Sequence, residues 1–383
     1  MSFIAVDMGS SFTKIALLNA NGVVAEKQEP TLPALLSGNG RFEIDAEAYF
    51  RQVAALLDEF VDMPGAEGIL FSTQMHGYVL TDIRCSPITP YVSWQDRLGA
   101  LHLEKIGQTF SAADVLPSGV PLKGNLALCS LLARMGEGFV IPQGTLFHTL
   151  GGYIITRLTG HHTCHITNAA PTGLADVQRH AWNTVLLGKA HLEQLIMPEL
   201  ICALMPVGRY RGIPVYPDIG DQQACAYGAE LQPECSLHVN IGTAGLLGAV
   251  CQKFDVAGFE SRPWLEESHY LRTVSGLLGG RHVAAARATL DCDDEQAWHI
   301  MTTNPPAHVL KLYEEMADQY YDKAVAMCLN VTSLRYSGGC VLKNPALRAC
   351  IEKRFHLPIS ETAANNDIWK GMQAIAQTIQ KSR

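Results

Sequence analysis

Asp221 stands directly after a glycine and ahead of a helix of small residues, in the run Pro217-Asp218-Ile219-Gly220-Asp221-Gln222-Gln223-Ala224-Cys225-Ala226. A carboxylate mounted there is placed as a catalytic base at the floor of a cleft. The helix N-terminus keeps it ionised, so it can accept a proton from an attacking hydroxyl. The plainer role of such an aspartate is to cap the helix, and the two roles are compatible. Two glycine-hydroxyl turns flank it in sequence, at residues 7–14 and 240–245. In the first, Gly9, Ser10 and Ser11 can aim successive amides at phosphate oxygens, Asp7 can hold a metal ion through water, and Lys14 can pair with phosphate. Gly242 and Thr243 offer a second clamp. One base bracketed by two phosphate turns describes phosphoryl transfer, in which positioning and charge neutralisation supply most of the acceleration.

The acceptor side reads as neutral and polyol-binding. Gln74-Met75-His76-Gly77 and Trp94-Gln95-Asp96-Arg97 both follow expected strands, where amides and imidazoles can hydrogen-bond hydroxyls and an indole can cover the apolar face of a sugar. No Gly-x-x-x-x-Gly-Lys-Ser/Thr motif occurs, and no Gly-x-Gly-x-x-Gly follows a strand, which disfavours P-loop and dinucleotide enzymes. The tract His161-His162-Thr163-Cys164-His165 has no matching ligand pair elsewhere and is read as a loop rather than a metal site. The acidic run 291–295 suits the start of a helix better than calcium.

Composition narrows the field further. The chain has 383 residues, 48% of them hydrophobic, and a formal net charge of −8. A core of that size splits into two domains, and a net negative chain lacks the basic surface that nucleic acid requires. The opening Met1-Ser2-Phe3-Ile4-Ala5-Val6-Asp7 lacks the basic start of a secretory signal, and no stretch suits a membrane span. The 11 cysteines are scattered without a Cys-x-x-Cys pair, as expected of reduced thiols in a cytoplasmic protein.

The elements expected to position these residues alternate strand and helix. Strands at 3–6 and 15–19 enclose the first turn, and Asn21-Gly22 signals a hairpin into 23–25. Asp45 reads as an N-cap, because Tyr49, Phe50, Val53, Leu56, Leu57, Phe60 and Val61 recur at helical spacing. A strand at 68–72, helices at 97–108, 125–134 and 145–158, and a short buried strand at 214–216 lead to Asp221. The pattern of a strand running into a glycine-hydroxyl turn restarts at 237–241, which suggests duplication. Helices at 308–329, 345–355 and 367–380 alternate with strands at 333–336 and 357–360. This α/β arrangement divides near residue 229, into 1–229 and 230–383, with no low-complexity linker.

Taken in order, residues 7–14, Gln-Met-His-Gly, Trp-Gln-Asp-Arg, Arg157-Leu158-Thr159-Gly160, Gly220-Asp221-Gln222, Gly242-Thr243 and Ser337-Gly338-Gly339 resemble the FGGY carbohydrate kinases over nearly the whole chain. The resemblance implies two RNase-H-like domains of the actin/hexokinase ATPase type around an interdomain cleft. The first would bind mainly the sugar and the second, shortened here, mainly the nucleotide. It implies Asp221 as base, Asp7 at the magnesium position, and Gly9, Ser10, Ser11, Thr13 and Lys14 in the first phosphate loop. Gly242 and Thr243 would form the second loop, Gly338, Gly339 and Asn344 the adenosine side, and Gln74, Met75, His76, Gly77, Trp94, Asp96 and Arg97 the sugar contacts. ATP and Mg2+ would be the cofactors and a ketose of the sedoheptulose or xylulose kind the acceptor. The alternatives are another polyol such as glycerol, or a non-catalytic sugar and nucleotide sensor on the same fold. The resemblance allows a homodimer. Cys340 where a third glycine is common, and Trp369-Lys370-Gly371-Met372 where smaller residues are usual, depart from the pattern.

Overall fold

The computed structural model describes residues 2–327, 329–360 and 367–382. The opening motif forms as expected: strand Ser2–Met8 pairs antiparallel with Phe12–Asn19, which turns at Asn21-Gly22 into Gly22–Pro30. Ser2–Met8 also pairs in parallel with Ala66–Thr73, which pairs in parallel with Ile213–Gly220, and Gly208–Tyr210 closes the edge of this six-stranded sheet.

The chain divides into two compact units. The first comprises Met1–Gly228, Arg262–Glu267 and Ile368–Arg383, and the second Ala229–Ser261 and Ser268–Asp367. The first unit is therefore assembled from three stretches of sequence, one of them holding all but the first residue of the terminal helix Asp367–Ser382.

Strand alternation explains how the first sheet is covered on both faces. Ile4, Val6 and Met8 pack with Tyr49, Val53, Leu56, Leu57 and Phe60 of helix Ala46–Phe60. Asp45 caps that helix, its side chain accepting from the Ala48 amide at 2.9 Å. Phe3, Ala5, Ala16 and Leu18 face the other way and pack with Trp369, Met372, Ile375 and Ile379 of the terminal helix. At the crossing of that helix with Asp221–Gly228, a Cβ on Gly371 would overlap the Ala224 carbonyl, so only glycine fits.

The second unit repeats the strand pattern. Ser236–Ile241 pairs antiparallel with Gly245–Cys251 and in parallel with Ser333–Ser337, while Gly245–Cys251 pairs antiparallel with Tyr270–Leu277 and Ser333–Ser337 pairs in parallel with Ile359–Ser360. Three antiparallel strands followed by two parallel ones occur in both sheets, the duplication that the recurring turn suggests. Helix Ala307–Ala326 covers this sheet through Val309, Tyr313, Met316 and Tyr320. Cys328, inside the span read as helix from sequence, lies outside the described residues.

Three local expectations are corrected. Residues 145–158 are not one helix: Thr145–His148 is a strand paired with Val79–Thr81 and Leu195–Ile196, and Thr149 then caps helix Leu150–Thr159 by accepting from the Gly152 amide. Residues 97–108 break at His102 into helices Leu98–Leu101 and Leu103–Thr109. The turn at Gly338 continues at once into helix Gly339–Leu342. Asp293 caps helix Asp294–Thr303, accepting from the Gln296 amide, as the acidic run suggests. No helix among the described residues is long and apolar enough to cross a membrane.

Candidate active site

Asp221 is the first residue of helix Asp221–Gly228, at the end of strand Ile213–Gly220. It does not stand ahead of the helix as a cap; its own Oδ1 accepts from the Gln222 amide at 2.7 Å. The side chain is half-buried. Burial, and then the negative charge of Asp7, push its carboxyl up to about 7, against the Gln222 amide and the positive charge of Arg262. Asp7 lies on the opening strand in register with Lys14 on one side and Ser72 on the other. Ser72 Oγ donates to Asp7 at 3.0 Å, and burial raises the Asp7 carboxyl while Lys14 and Ser72 lower it. The negative charge of Asp7 adds to the cost of ionising Asp221, and two carboxylates, both hard oxygen donors, fit a magnesium ion.

The first turn is held from behind. Gly9 donates to the Phe12 carbonyl at 3.1 Å, and its own carbonyl accepts from Thr31 Oγ1 at 2.9 Å and Gln74 Nε2 at 3.3 Å. Ser10 and Ser11 are exposed at its tip. Thr13 is fully buried and its hydroxyl donates to Gln52 at 3.4 Å, which corrects its assignment to phosphate contact. Gln74 spends its amide on Gly9 and on Tyr49 at 3.5 Å, and so it supports the turn rather than presenting donors to a sugar.

Met75 and His76 come to the Asp221 end of the sheet. A Cβ on Gly220 would meet Met75 Sδ at 2.5 Å, so Met75 packs against the residue preceding the base. Gly77 is pressed against Tyr91 and the Val92 carbonyl. The Trp94 stretch lines a different hollow of about 460 Å³, with Phe42, Gln95, Asp96, Arg97, Ala100 and Asn125. Trp94 and Arg97 are exposed there. Asp96 is not available to a sugar: it is ion-paired with Arg134 at 2.8 Å and accepts from the Phe42 and Leu98 amides, each at 3.1 Å.

In the second unit, the turn after Ser236–Ile241 exposes Thr243. The Gly242 and Thr243 carbonyls accept from the Gly280 and Arg281 amides at 2.8 and 3.0 Å, fastening the turn to the start of helix Gly280–Arg287. Gly338, at φ 87°, lies so close that a Cβ would stand 2.6 Å from the Ile241 carbonyl oxygen, which brings the two glycine turns together. Asn344 is corrected: it is fully buried, caps helix Pro345–Phe355 by accepting from Leu347, and donates to Tyr313 at 2.8 Å.

Sequence reasoning missed four features. Asp218, fully buried, accepts from the His165 amide, Asn168 Nδ2 and Thr149 Oγ1 at 3.0, 2.8 and 3.2 Å, tying three segments behind the Asp221 strand. Gln222 leaves its Oε1 buried without a partner beside the base. Gly279 packs under the second turn. Arg262, buried, reaches Met75 and His76. Asp218 and Gln222 had a local signal, their place in the same run as Asp221.

The fold is the two-domain, actin-like ATPase fold of sugar kinases. A gluconate kinase from Lactobacillus acidophilus matches at TM-score 0.89 and 19% identity, covering 100% of this chain and 90% of that one. A ligand-bound xylulose kinase from the same organism matches at TM-score 0.87 and 19% identity, covering 99% and 90%. Residues 2–223 match the model of the FGGY family of carbohydrate kinases, N-terminal domain, and the chain belongs to that family. The xylulose kinase of Staphylococcus xylosus is 28% identical over 276 residues, 63% of this chain and 54% of that protein. The chain thus spans about half the length of the curated relatives it matches.

Proposed function

We propose that this chain is an ATP-dependent carbohydrate kinase that moves the γ-phosphoryl of MgATP to a terminal hydroxyl of a ketose, xylulose or sedoheptulose, in the cytoplasm. The observation that carries the reading is Asp221, a half-buried carboxyl at a helix start whose proton affinity is pushed up to about 7. A base matched to neutral pH transfers protons most efficiently. The xylulose kinases among the relatives favour a ketose.

In this reading the acceptor hydroxyl hydrogen-bonds to Asp221, which takes its proton as the bond to phosphorus forms. Met75 and His76 orient the sugar beside it, and Trp94 covers an apolar face further along. Gly9, Ser10, Ser11 and Lys14 of the first unit, and Gly242 and Thr243 of the second, hold phosphate oxygens through amides and charge. Gly338 and Gly339 serve the adenosine side. Asp7 would hold Mg2+ through water, and the ion, when bound, neutralises charge on the phosphates. Asp221→Asn then loses about 10²- to 10⁴-fold in turnover in a coupled ADP-release assay with xylulose, while its circular dichroism matches wild type. Full turnover in that variant refutes the assignment.

A further inference from the structure

We infer that Arg262 is a positioning residue for the acceptor: its guanidinium fixes the His76 imidazole as the tautomer protonated on Nδ1. The inference rests on the reading above, in which His76 touches the sugar.

Arg262 is 2% exposed. Its Nη2 lies 3.3 Å from His76 Nε2, and its Nη1 lies 3.7 Å from Met75 Sδ. A guanidinium carries five N–H donors and no acceptor, so Nε2 must be the accepting nitrogen and the ring proton sits on Nδ1. A proton on Nε2 would set donor against donor. The contact also explains a strained backbone. His76 holds φ 71°, in the left-handed region that costs a side-chain-bearing residue and persists only where its surroundings fix it.

The segment carrying Arg262 is itself anchored at the base. Gln223, two residues after Asp221, donates from Nε2 to the Pro263 carbonyl at 3.1 Å. Met75, the other partner of the guanidinium, packs on Gly220. One buried cation thus links the acceptor stretch to the helix that starts at Asp221. Its positive charge also acts on Asp221, opposing burial and Asp7.

The test uses 15N-histidine-labelled protein, in which long-range 1H–15N spectra report which ring nitrogen carries the proton and His76→Gln identifies the signal. Wild type shows His76 protonated on Nδ1, and Arg262→Gln moves the proton toward Nε2. In the ADP-release assay, Arg262→Gln raises the KM for xylulose about 10- to 100-fold, the loss of one charge-assisted hydrogen bond, with the KM for ATP unchanged. The double variant Arg262→Gln/His76→Gln is no worse than His76→Gln alone, because the arginine acts through the imidazole. Arg262→Lys, which keeps the charge inside the fold, retains folding with an intermediate KM. An Nε2-protonated His76 in wild type, or effects that multiply in the double variant, overturn the inference. Should no ketose be phosphorylated, the ketose-kinase reading falls, and the imidazole spectrum alone decides for or against the role of Arg262.

Discussion

Gly371 lies against Ala224 so closely that a Cβ on Gly371 would overlap the Ala224 carbonyl oxygen and come within 3.3 Å of the Gly228 amide nitrogen. The terminal helix thereby seats the short helix that begins with Asp221. Alanine would raise helix propensity by about 1 kcal/mol, yet backbone overlap costs about 1–3 kcal/mol. Gly371→Ala is therefore expected to lower the urea midpoint and to reduce turnover by displacing Asp221, whereas alanine at exposed Gly107, inside helix Leu103–Thr109 with open space around its Cβ, raises the midpoint and leaves turnover unchanged. Equal midpoints for the two variants would show that the helices separate freely.

Asp221 makes a second prediction, about stability without metal. Its folded proton affinity, about 7, exceeds the ordinary value of 3.8. A raised carboxyl contributes stability that is fully present below the unfolded value and is lost as pH rises through about 7. Asp221→Asn removes that loss. In metal-free protein the variant should be more stable than wild type at pH 8 by about 1–2 kcal/mol, with the gap closing toward pH 4. Paired urea curves at the two pH values read the difference, and a variant less stable at pH 8 would show that the carboxylate is favourably held.

Buried histidines act in the opposite sense. Burial holds His165 and His238 at about 4, and His148 well below its ordinary 6.5. A depressed group contributes stability that is present above the unfolded value and lost as pH falls, here between 6.5 and 4. Each such histidine removes up to about 1.4 kcal/mol per pH unit. His238, whose Nε2 lies 2.6 Å from Ser337 Oγ, is a suitable probe. The unfolding free energy of His238→Gln should fall less than that of wild type between pH 7 and 5, and parallel profiles would show that His238 titrates normally.

Arg134 joins two buried acids, Glu43 at 2.6 Å and Asp96 at 2.8 Å. Removing one partner leaves uncompensated charge inside the fold, at a cost of about 3–5 kcal/mol. Arg134→Met should therefore lose several degrees of thermal midpoint, with little relief from added salt. Asp96→Asn should mainly destabilise the protein rather than raise the KM for xylulose. A pure KM effect would restore Asp96 to the sugar contacts.

Much of this was legible because it is written in local pattern. The Asn21-Gly22 hairpin, the Asp45 cap and the repeated strand-turn motif each depend on neighbours in sequence, and each formed as read. Thr145–His148 was misread because four apolar and polar residues before a helical stretch carry no period of their own; pairing with two distant strands decided it. Thr13, Asp96 and Asn344 sit in motifs whose order is informative, but their side chains turn inward to Gln52, Arg134 and Leu347. Motif position alone does not reveal which way a side chain faces. Arg262 was invisible for the converse reason, since its partners lie 187 and 186 residues away.

The helix over Phe3, Ala5, Ala16 and Leu18 has a consequence for biosynthesis. As the nascent chain leaves the ribosome, the first sheet can form and gain its Ala46–Phe60 cover early, but its opposite apolar face stays wet until residues 368–382 emerge. Every stretch of the second unit is translated before that point. The first unit is thus completed only after the second has been made, and during elongation that bare face is the surface a chaperone would find.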